Sequence, residues 1–351
     1  MKAIVFHGPR DFRYEDVGDP RIEAEGDAIL RVTCTAICGS DLHLWNGGLP
    51  VAESGFVVGH EFVGVVEEVG GAVQTLRPGD RVFASCTLGC GSCDCCRRGL
   101  FSGCAVTTAG GTRTNIAGFS AVFPGGQAEL ARVPFADVNV FAIPDGVSDE
   151  QAVFLTDILP TADLAVELAE VRPGDRVVVF GCGPVGSLAQ QCAQIHGAAQ
   201  VIAVDLSEGR LARARKRGCD AVNPEREDLA GRVLELTGGQ GADAVIEAVG
   251  RPELVGAAVP LLRPGGRVSV VGIIVAPVEL PWAVLLMRNL SVRTGLVNPQ
   301  GSIAPLLRLV ESGRIDPTEL ITHRLPLSEG VHGYQIFFEQ RDEVLKVLLS
   351  P

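Results

Sequence analysis

Thirty-one residues, DRVVVFGCGPVGSLAQQCAQIHGAAQVIAVD at positions 175–205, restrict the fold more than any other part of the chain. The β-branched run RVVVF reads as a strand buried on both faces. PVGSLAQQCAQIHG places Val185, Leu188, Ala189, Cys192 and Ile195 on one face of a helix. QVIAVD is a second strand. Strand, tight turn, helix and strand at this spacing form a right-handed βαβ unit, so the sheet is parallel. The turn carries G-x-G-x-x-G through Gly181, Gly183 and Gly186. Those glycines let a backbone approach a pyrophosphate at the helix N-terminus, where unpaired N–H groups favour anions. Gly181, Gly183, Pro184, Val185 and Gly186 are therefore the candidate cofactor loop. Asp205 ends the second strand, 19 residues after Gly186, placed to accept from the ribose hydroxyls. A carboxylate there repels a 2′-phosphate, and Leu206, Ser207 and Glu208 supply no immediate arginine, so NAD is expected over NADP.

The same rhythm continues through the helix SEGRLARARKRG and the strands DAVIEAVG and GRVSVVG. Before about residue 155 the pattern differs. AILRVTCTAI (28–37) and FVGVVEEVG (62–70) are short strands bounded by turn residues. After about Leu296 come a helical stretch at Ala304–Ser312 and a last strand at Glu343–Leu349, which could fold back onto the first domain. RPGDRV at 77–82 and 172–177 and RPGGRV at 263–268 are turns that open strands, not repeats. With 351 residues, two domains are expected.

The 30 Lys and Arg face 42 Asp and Glu, a net charge of −12, which argues against nucleic-acid binding. The one basic cluster, Arg210 to Arg217, has helical spacing and reads as a solvated face. No apolar run reaches the ~18 residues of a membrane span. The first residues lack the apolar core of a signal peptide, so a cytoplasmic location is expected and the 11 cysteines are not read as disulfides.

Five of those cysteines lie in CGSCDCCRRGLFSGC (90–104). Cys90, Cys93 and Cys96 are three apart and Cys104 follows eight later, the spacing of a closed four-thiolate zinc site with a structural role. Cys86 and Cys95 are taken as non-ligands, although CDCC also permits Cys95 in place of Cys96. Upstream, Cys38 in CGSDLHLWNG and His60 in VVGHEFVGVVEEVG offer two further zinc ligands. Asp157, among the apolar residues of FLTDILPTADLA, is costly unless paired or bound to a metal. Three such ligands leave a fourth position open, as in a catalytic zinc. Glu61 could serve as an occasional extra ligand or back the ligands from behind.

GHEFVGVVEEVG, C-G-S-D-x-H around Cys38, the four-cysteine lobe and GCGPVG…VIAVD resemble, in order and over nearly the whole chain, the zinc-containing medium-chain dehydrogenase/reductase family. That is the alcohol dehydrogenase superfamily. The resemblance implies an α/β chain: a GroES-like β-rich catalytic domain (1–157 with 297–351) and an inserted Rossmann domain, a doubly wound parallel sheet that binds NAD (158–296). It further implies two zinc ions per chain, catalytic at Cys38, His60 and Asp157 and structural at Cys90, Cys93, Cys96 and Cys104. Ser40 and His43 fall where the family places a proton relay, and Thr161 where it lines the nicotinamide. VSVVGIIVAPVELPW resembles the edge through which subunits pair, so a homodimer or homotetramer is expected. Asp157 stands where animal liver-type enzymes carry cysteine, as in microbial secondary-alcohol and formaldehyde dehydrogenases. Ala162 stands where related members often show glycine, and residues 125–146 look like the longer-chain bacterial members.

The expected reaction is hydride transfer between a small alcohol and NAD, giving an aldehyde or ketone. Polyol, threonine or formaldehyde oxidation could use the same residues, and a non-catalytic NAD- and zinc-binding protein is the rival from another class. Trp45, Ile158 and Leu159 are candidate pocket walls or plain core residues. His7, His196, His323 and His332 read as structural.

Overall fold

The computed structural model describes residues 1–49, 53–340 and 342–351. The chain divides into two units, Met1–Pro160 with Val297–Pro351, and Thr161–Leu296.

The second unit is built on a six-stranded sheet, parallel throughout, in the spatial order Asp220–Val222, Gln200–Val204, Arg176–Phe180, Ala242–Glu247, Leu262–Val270, Ser291–Thr294. In chain order this is 3-2-1-4-5-6, a doubly wound Rossmann sheet. Helices cover both faces of such a sheet, so its strands carry apolar residues on both sides. Val177, Val178 and Val179 are accordingly all buried. The register aligns Phe180 with Val204 on one side and with Glu247 on the other, and Glu247 with Val270. These residues form one row at the carboxyl ends, where the chain reverses direction across the sheet and ligands bind.

The first unit holds a seven-stranded sheet and a three-stranded one. In the larger sheet, Ala28–Ile37 pairs antiparallel with Glu61–Val69, Leu130–Val133 and Lys346–Ser350. The chain's last strand thus returns to a strand more than 300 residues earlier. Beside it, Phe6, Phe12, Trp45, Phe56 and Tyr334 form an aromatic core, with Trp45 stacked 5.7 Å from Tyr334 and edge-on to Phe12 at 5.2 Å. Each such pair contributes about 0.5–1.5 kcal/mol beyond area burial. Trp45 is only 5 % exposed, and Ile158 and Leu159 are buried as well. Trp45 thus packs into the aromatic core.

Some elements differ from the pattern expected in sequence. The helix expected at Ala304–Ser312 runs Pro299–Glu311, because Pro299 starts it at the first turn and Pro305 sits inside without ending it. The strand in VSVVGIIVAPVELPW stops at Val270, and the rest is irregular up to a helix at Trp282–Arg288, since Gly272, Pro277 and Pro281 prevent a continuous ladder. Val185 and Ile195 are half-buried, and Leu188, Ala189, Cys192 and Ala193 carry the packing of their helix. No described helix is long and apolar enough to cross a membrane.

Candidate catalytic metal centre, thiol lobe and dinucleotide loop

Two neighbouring antiparallel strands bring the first ligands together. Ala36 pairs with Glu61, so Cys38, just past the end of Ala28–Ile37, and His60, just before Glu61–Val69, emerge at the same end of the sheet. Gly59 makes the approach possible. Its φ of +90° is left-handed, and a Cβ there would come 2.3 Å from the Gln127 side chain. Asp157 arrives from the turn between the 3₁₀ segment Val153–Leu155 and the helix Ile158–Leu168. Its Oδ2 lies 3.4 Å from Cys38 Sγ and 3.1 Å from His60 Nε2. Cys38, His60, Glu61 and Asp157 each offer a donor atom, and these atoms all lie within 4.8 Å of one another.

Three observations fit this cluster to a divalent cation. Thiol, imidazole and carboxylate donors are the set zinc takes. Glu61 Oε1 is buried with no hydrogen-bond partner, an acceptor that folding would leave costly unless a cation compensates it. Burial, reinforced by Glu61 and Asp157, also pushes the Cys38 thiol up, so a thiolate there needs a cation beside it. Burial works against a charge on His60, yet Asp41 and Asp157 more than offset it and raise its pKa well above the ordinary histidine value. Metal binding must therefore displace protons from both.

Two contributors escaped sequence reasoning. Asp41 is fully buried, accepts from the Cys38 backbone N–H at 3.0 Å, and places Oδ1 3.1 Å from His60 Nδ1, an ion-pair contact rather than an aligned hydrogen bond. A carboxylate behind an imidazole fixes the ring so that Nε2 faces the metal. Its signal was present, three residues after Cys38, but an acid in the first turn of a short helix reads as a helix-end charge. Lys346, 1 % exposed, is paired with Glu61 Oε2. Burial works against its charge and Glu61 raises it back above the usual lysine value. Glu61 is thus anchored through Oε2 by a cation, while its Oε1 has no hydrogen-bond partner.

Ser40 Oγ lies 3.3 Å from His60 Nε2, at the metal-facing side, and the His43 backbone N–H bonds to the Ser40 carbonyl at 3.0 Å. His43 itself is half-buried, and so is Thr161, four residues after Asp157. Cys86, 2 % exposed, donates to Asp157 Oδ1 at 3.5 Å, and burial pushes its thiol up.

The second cluster forms as the spacing requires. Cys90, Cys93, Cys96 and Cys104 bring their sulfurs within 4.8 Å of one another, which settles the choice at CDCC for Cys96. Gly91 (φ +75°) and Gly99 (φ +78°) make the reversals. Backbone N–H groups point at the sulfurs, Cys90 N at Cys104 Sγ (3.3 Å) and Cys96 N at Cys93 Sγ (3.5 Å). Such donors favour thiolate. Burial raises Cys104, but the Thr107 hydroxyl and backbone donors bring it down to about 6. Four thiolates close the coordination shell and leave no open position.

In the second unit, Gly181 has φ +91°, Gly183 caps the helix Pro184–Ile195, and Pro184 occupies its first turn. A Cβ on Gly186 would fall 1.9 Å from the Gly181 carbonyl, so only glycine lets helix and turn pack. Asp205 accepts from Cys182 N at 2.7 Å and from Ser207 N at 2.9 Å, which ties the end of its strand to the glycine turn. Arg210 Nη1 stands 3.9 Å from Asp205, and so the basic cluster is not solely a solvated face.

Residues 24–145 match the alcohol dehydrogenase GroES-like domain, and residues 184–312 match the zinc-binding dehydrogenase domain. The chain belongs to the zinc-containing medium-chain alcohol dehydrogenase family. It is 38 % identical to the zinc-type alcohol dehydrogenase-like protein AdhB of Bacillus subtilis, covering 100 % of both chains. It is 36 % identical to an alcohol dehydrogenase of Cupriavidus necator, covering 100 % of this chain and 99 % of that one. Among solved structures, the alcohol dehydrogenase TADH of Thermus sp. ATN1 superposes with a TM-score of 0.92 at 42 % identity, covering 100 % and 99 %. Family membership gives the two clusters their roles: Cys38, His60, Glu61 and Asp157 form the catalytic zinc cluster, and the four cysteines the structural one.

Proposed function

We propose that this zinc alcohol dehydrogenase uses NAD to interconvert a small alcohol and its aldehyde or ketone. The observation that carries the proposal is the convergence of Cys38 Sγ, His60 Nε2 and Asp157 Oδ2 on one point, with Ser40 Oγ beside it. When bound there, zinc supplies a Lewis acid that lowers the pKa of an alcohol, and NAD supplies the hydride acceptor. Cys38 and Asp157 would hold the ion with their negative charge, and Asp41, 3.1 Å from Nδ1, orients the His60 ring so that Nε2 is presented. In this reading the Ser40 hydroxyl accepts the alcohol proton as it releases its own, and His43 passes a proton on to solvent. Gly181, Gly183, Pro184, Val185 and Gly186 bind the pyrophosphate, Asp205 the adenosine ribose, and Thr161 the nicotinamide.

Asp205 supports NAD over NADP. One of its oxygens already holds the glycine turn, and the remaining lone pairs suit ribose hydroxyls and repel a phosphate. The test is NADH formation across primary, secondary, polyol and amino alcohols and formaldehyde, with wild type and Cys38→Ser. Turnover with NAD in the wild type, lost in Cys38→Ser, is expected. Turnover that survives in Cys38→Ser contradicts the assignment.

Self-association of two copies belongs to the same proposal. Trp282, Leu286 and Met287 are 73 %, 70 % and 80 % exposed, and the neighbouring strand Ser291–Thr294 ends the sheet with one edge unpaired. Large apolar side chains beside an open strand edge favour pairing with another chain. Sedimentation should show a dimer or larger species, and Leu286→Asp should dissociate it.

A further inference from the structure

Glu247 is the residue of the second unit whose chemistry the reading above does not use. It ends the strand Ala242–Glu247, and its side chain is 0 % exposed. Oε1 accepts from three successive backbone N–H groups, Val249 (2.9 Å), Gly250 (2.8 Å) and Arg251 (3.4 Å). Its main-chain carbonyl accepts from Val271 and Gly272, at 3.0 and 3.2 Å. One residue therefore ties together the loops that leave two adjacent strands. The loops touch through glycine backbones. A Cβ on Gly272 would lie 2.2 Å from Gly250 N and 2.5 Å from Glu247 Oε2, and one on Gly250 would lie 2.7 Å from the Ile273 carbonyl. The first of these loops also abuts the glycine turn, because a Cβ on Gly181 would come 2.8 Å from Val249 Cγ2.

The sheet order shows what this arrangement serves. Asp205 follows the strand on one side of Arg176–Phe180, and Glu247 ends the strand on the other. A dinucleotide whose pyrophosphate sits at Gly181–Gly186 and whose adenosine ribose meets Asp205 must carry its other half across the ends of Ala242–Glu247 and Leu262–Val270. On the NAD reading given above, we propose that Glu247 is a positioning residue for the nicotinamide half of the cofactor. It holds the loops 248–251 and 271–273 in the one arrangement that receives that half, and touches neither substrate nor metal. A carboxylate at full burial is an expensive way to close a loop, and burial pushes its pKa up against the pull of the three amides. A merely structural contact here would not select between cofactor and alcohol.

The test uses the zinc-loaded full chain, with NAD titrated calorimetrically into wild type, Glu247→Ala and Glu247→Gln, and with steady-state kinetics for NAD and alcohol. In Glu247→Ala the loops lose their anchor, and NAD affinity should fall by roughly 10- to 100-fold. KM for NAD should rise in proportion, with KM for alcohol and zinc content unchanged. Glu247→Gln keeps an acceptor at Oε1 and should recover most of the affinity. If Glu247→Ala does not fold, Glu247→Asp keeps the charge but shortens its reach, and it too should bind NAD more weakly. NAD affinity equal to wild type in a folded Ala or Asp variant overturns the proposal, as does an equal rise in both KM values. Wild type that binds no NAD overturns the reading beneath it instead.

Discussion

Lys346 and Glu61 form an ion pair at 1 % and 0 % exposure, joining the chain's last strand to the residue after a zinc ligand. Replacing Lys346 with methionine keeps the length and apolar stem and removes only the charge. Breaking a buried pair from one side leaves an uncompensated charge, a cost of about 3–5 kcal/mol. At 1.4 kcal/mol per tenfold, that is roughly a 10²- to 4 × 10³-fold change in the unfolding equilibrium. Removing both charges, as in Lys346→Met with Glu61→Leu, should recover most of the loss, since a well-packed apolar pair often matches a buried ionic one. The chain has two tryptophans, Trp45 buried in the unit that holds the pair and Trp282 in the other. In a Trp282→Phe background, urea unfolding followed by Trp45 fluorescence reports on the correct unit. Chelating zinc should deepen the single-variant defect, because Glu61 then loses both compensating cations. A single-variant loss below about 1 kcal/mol, the range of an exposed pair, would show that burial does not make this pair costly to break. So would a double variant no more stable than the single.

Asp41→Asn weakens the support behind His60 and should lower zinc affinity roughly 10- to 100-fold, read by competition with a chromophoric chelator. Unchanged affinity would remove Asp41 from that role. Asp205→Ala should weaken NAD binding by about tenfold or more and narrow the preference over NADP, since Arg210 remains to meet a 2′-phosphate. An unchanged NAD-to-NADP ratio in kcat/KM counts against it. His196 is raised above its ordinary value by its 3.0 Å bond to Asp163, so its contribution to stability is fully present below the unfolded-state pKa and disappears as pH rises through the folded one. His196→Gln should therefore destabilise the protein more at pH about 5.5 than at about 8.5, judged by thermal midpoints. The reverse order would contradict the assignment.

Local features were legible in the sequence where the chemistry is local. The glycine turn and the four-cysteine lobe each span fewer than 20 residues, and spacing alone sets their geometry. Cys38, His60 and Asp157 are far apart; the first two are weak signals alone, and only Asp157, a charge among apolar residues, stands out by itself. Lys346 did not. In EVLKVLL a lysine reads as the solvent side of a strand, and only the return of that strand to Ala28–Ile37 reveals its partner 285 residues away. Glu247 was hidden in the same way, as the polar end of an apolar strand. The helix Gly330–Glu339 gave no helical signal, with Gly330, Gly333 and several aromatics in ten residues. The glycines are there for packing: a Cβ at Gly330 would meet Ile4 at 2.1 Å, and one at Gly333 would meet Ile37 at 2.9 Å. Such requirements are set by the partner surface, not by helix propensity.

On this reading Cys38, His60 and Asp157 share one zinc ion. A crystal of the metal-replete protein measured at the zinc absorption edge tests it most directly. Two anomalous peaks per chain are expected, one bonded to Cys38 Sγ, His60 Nε2 and Asp157, the other enclosed by Cys90, Cys93, Cys96 and Cys104. A single peak within the four cysteines, with the first three side chains around ordinary solvent density, would contradict it.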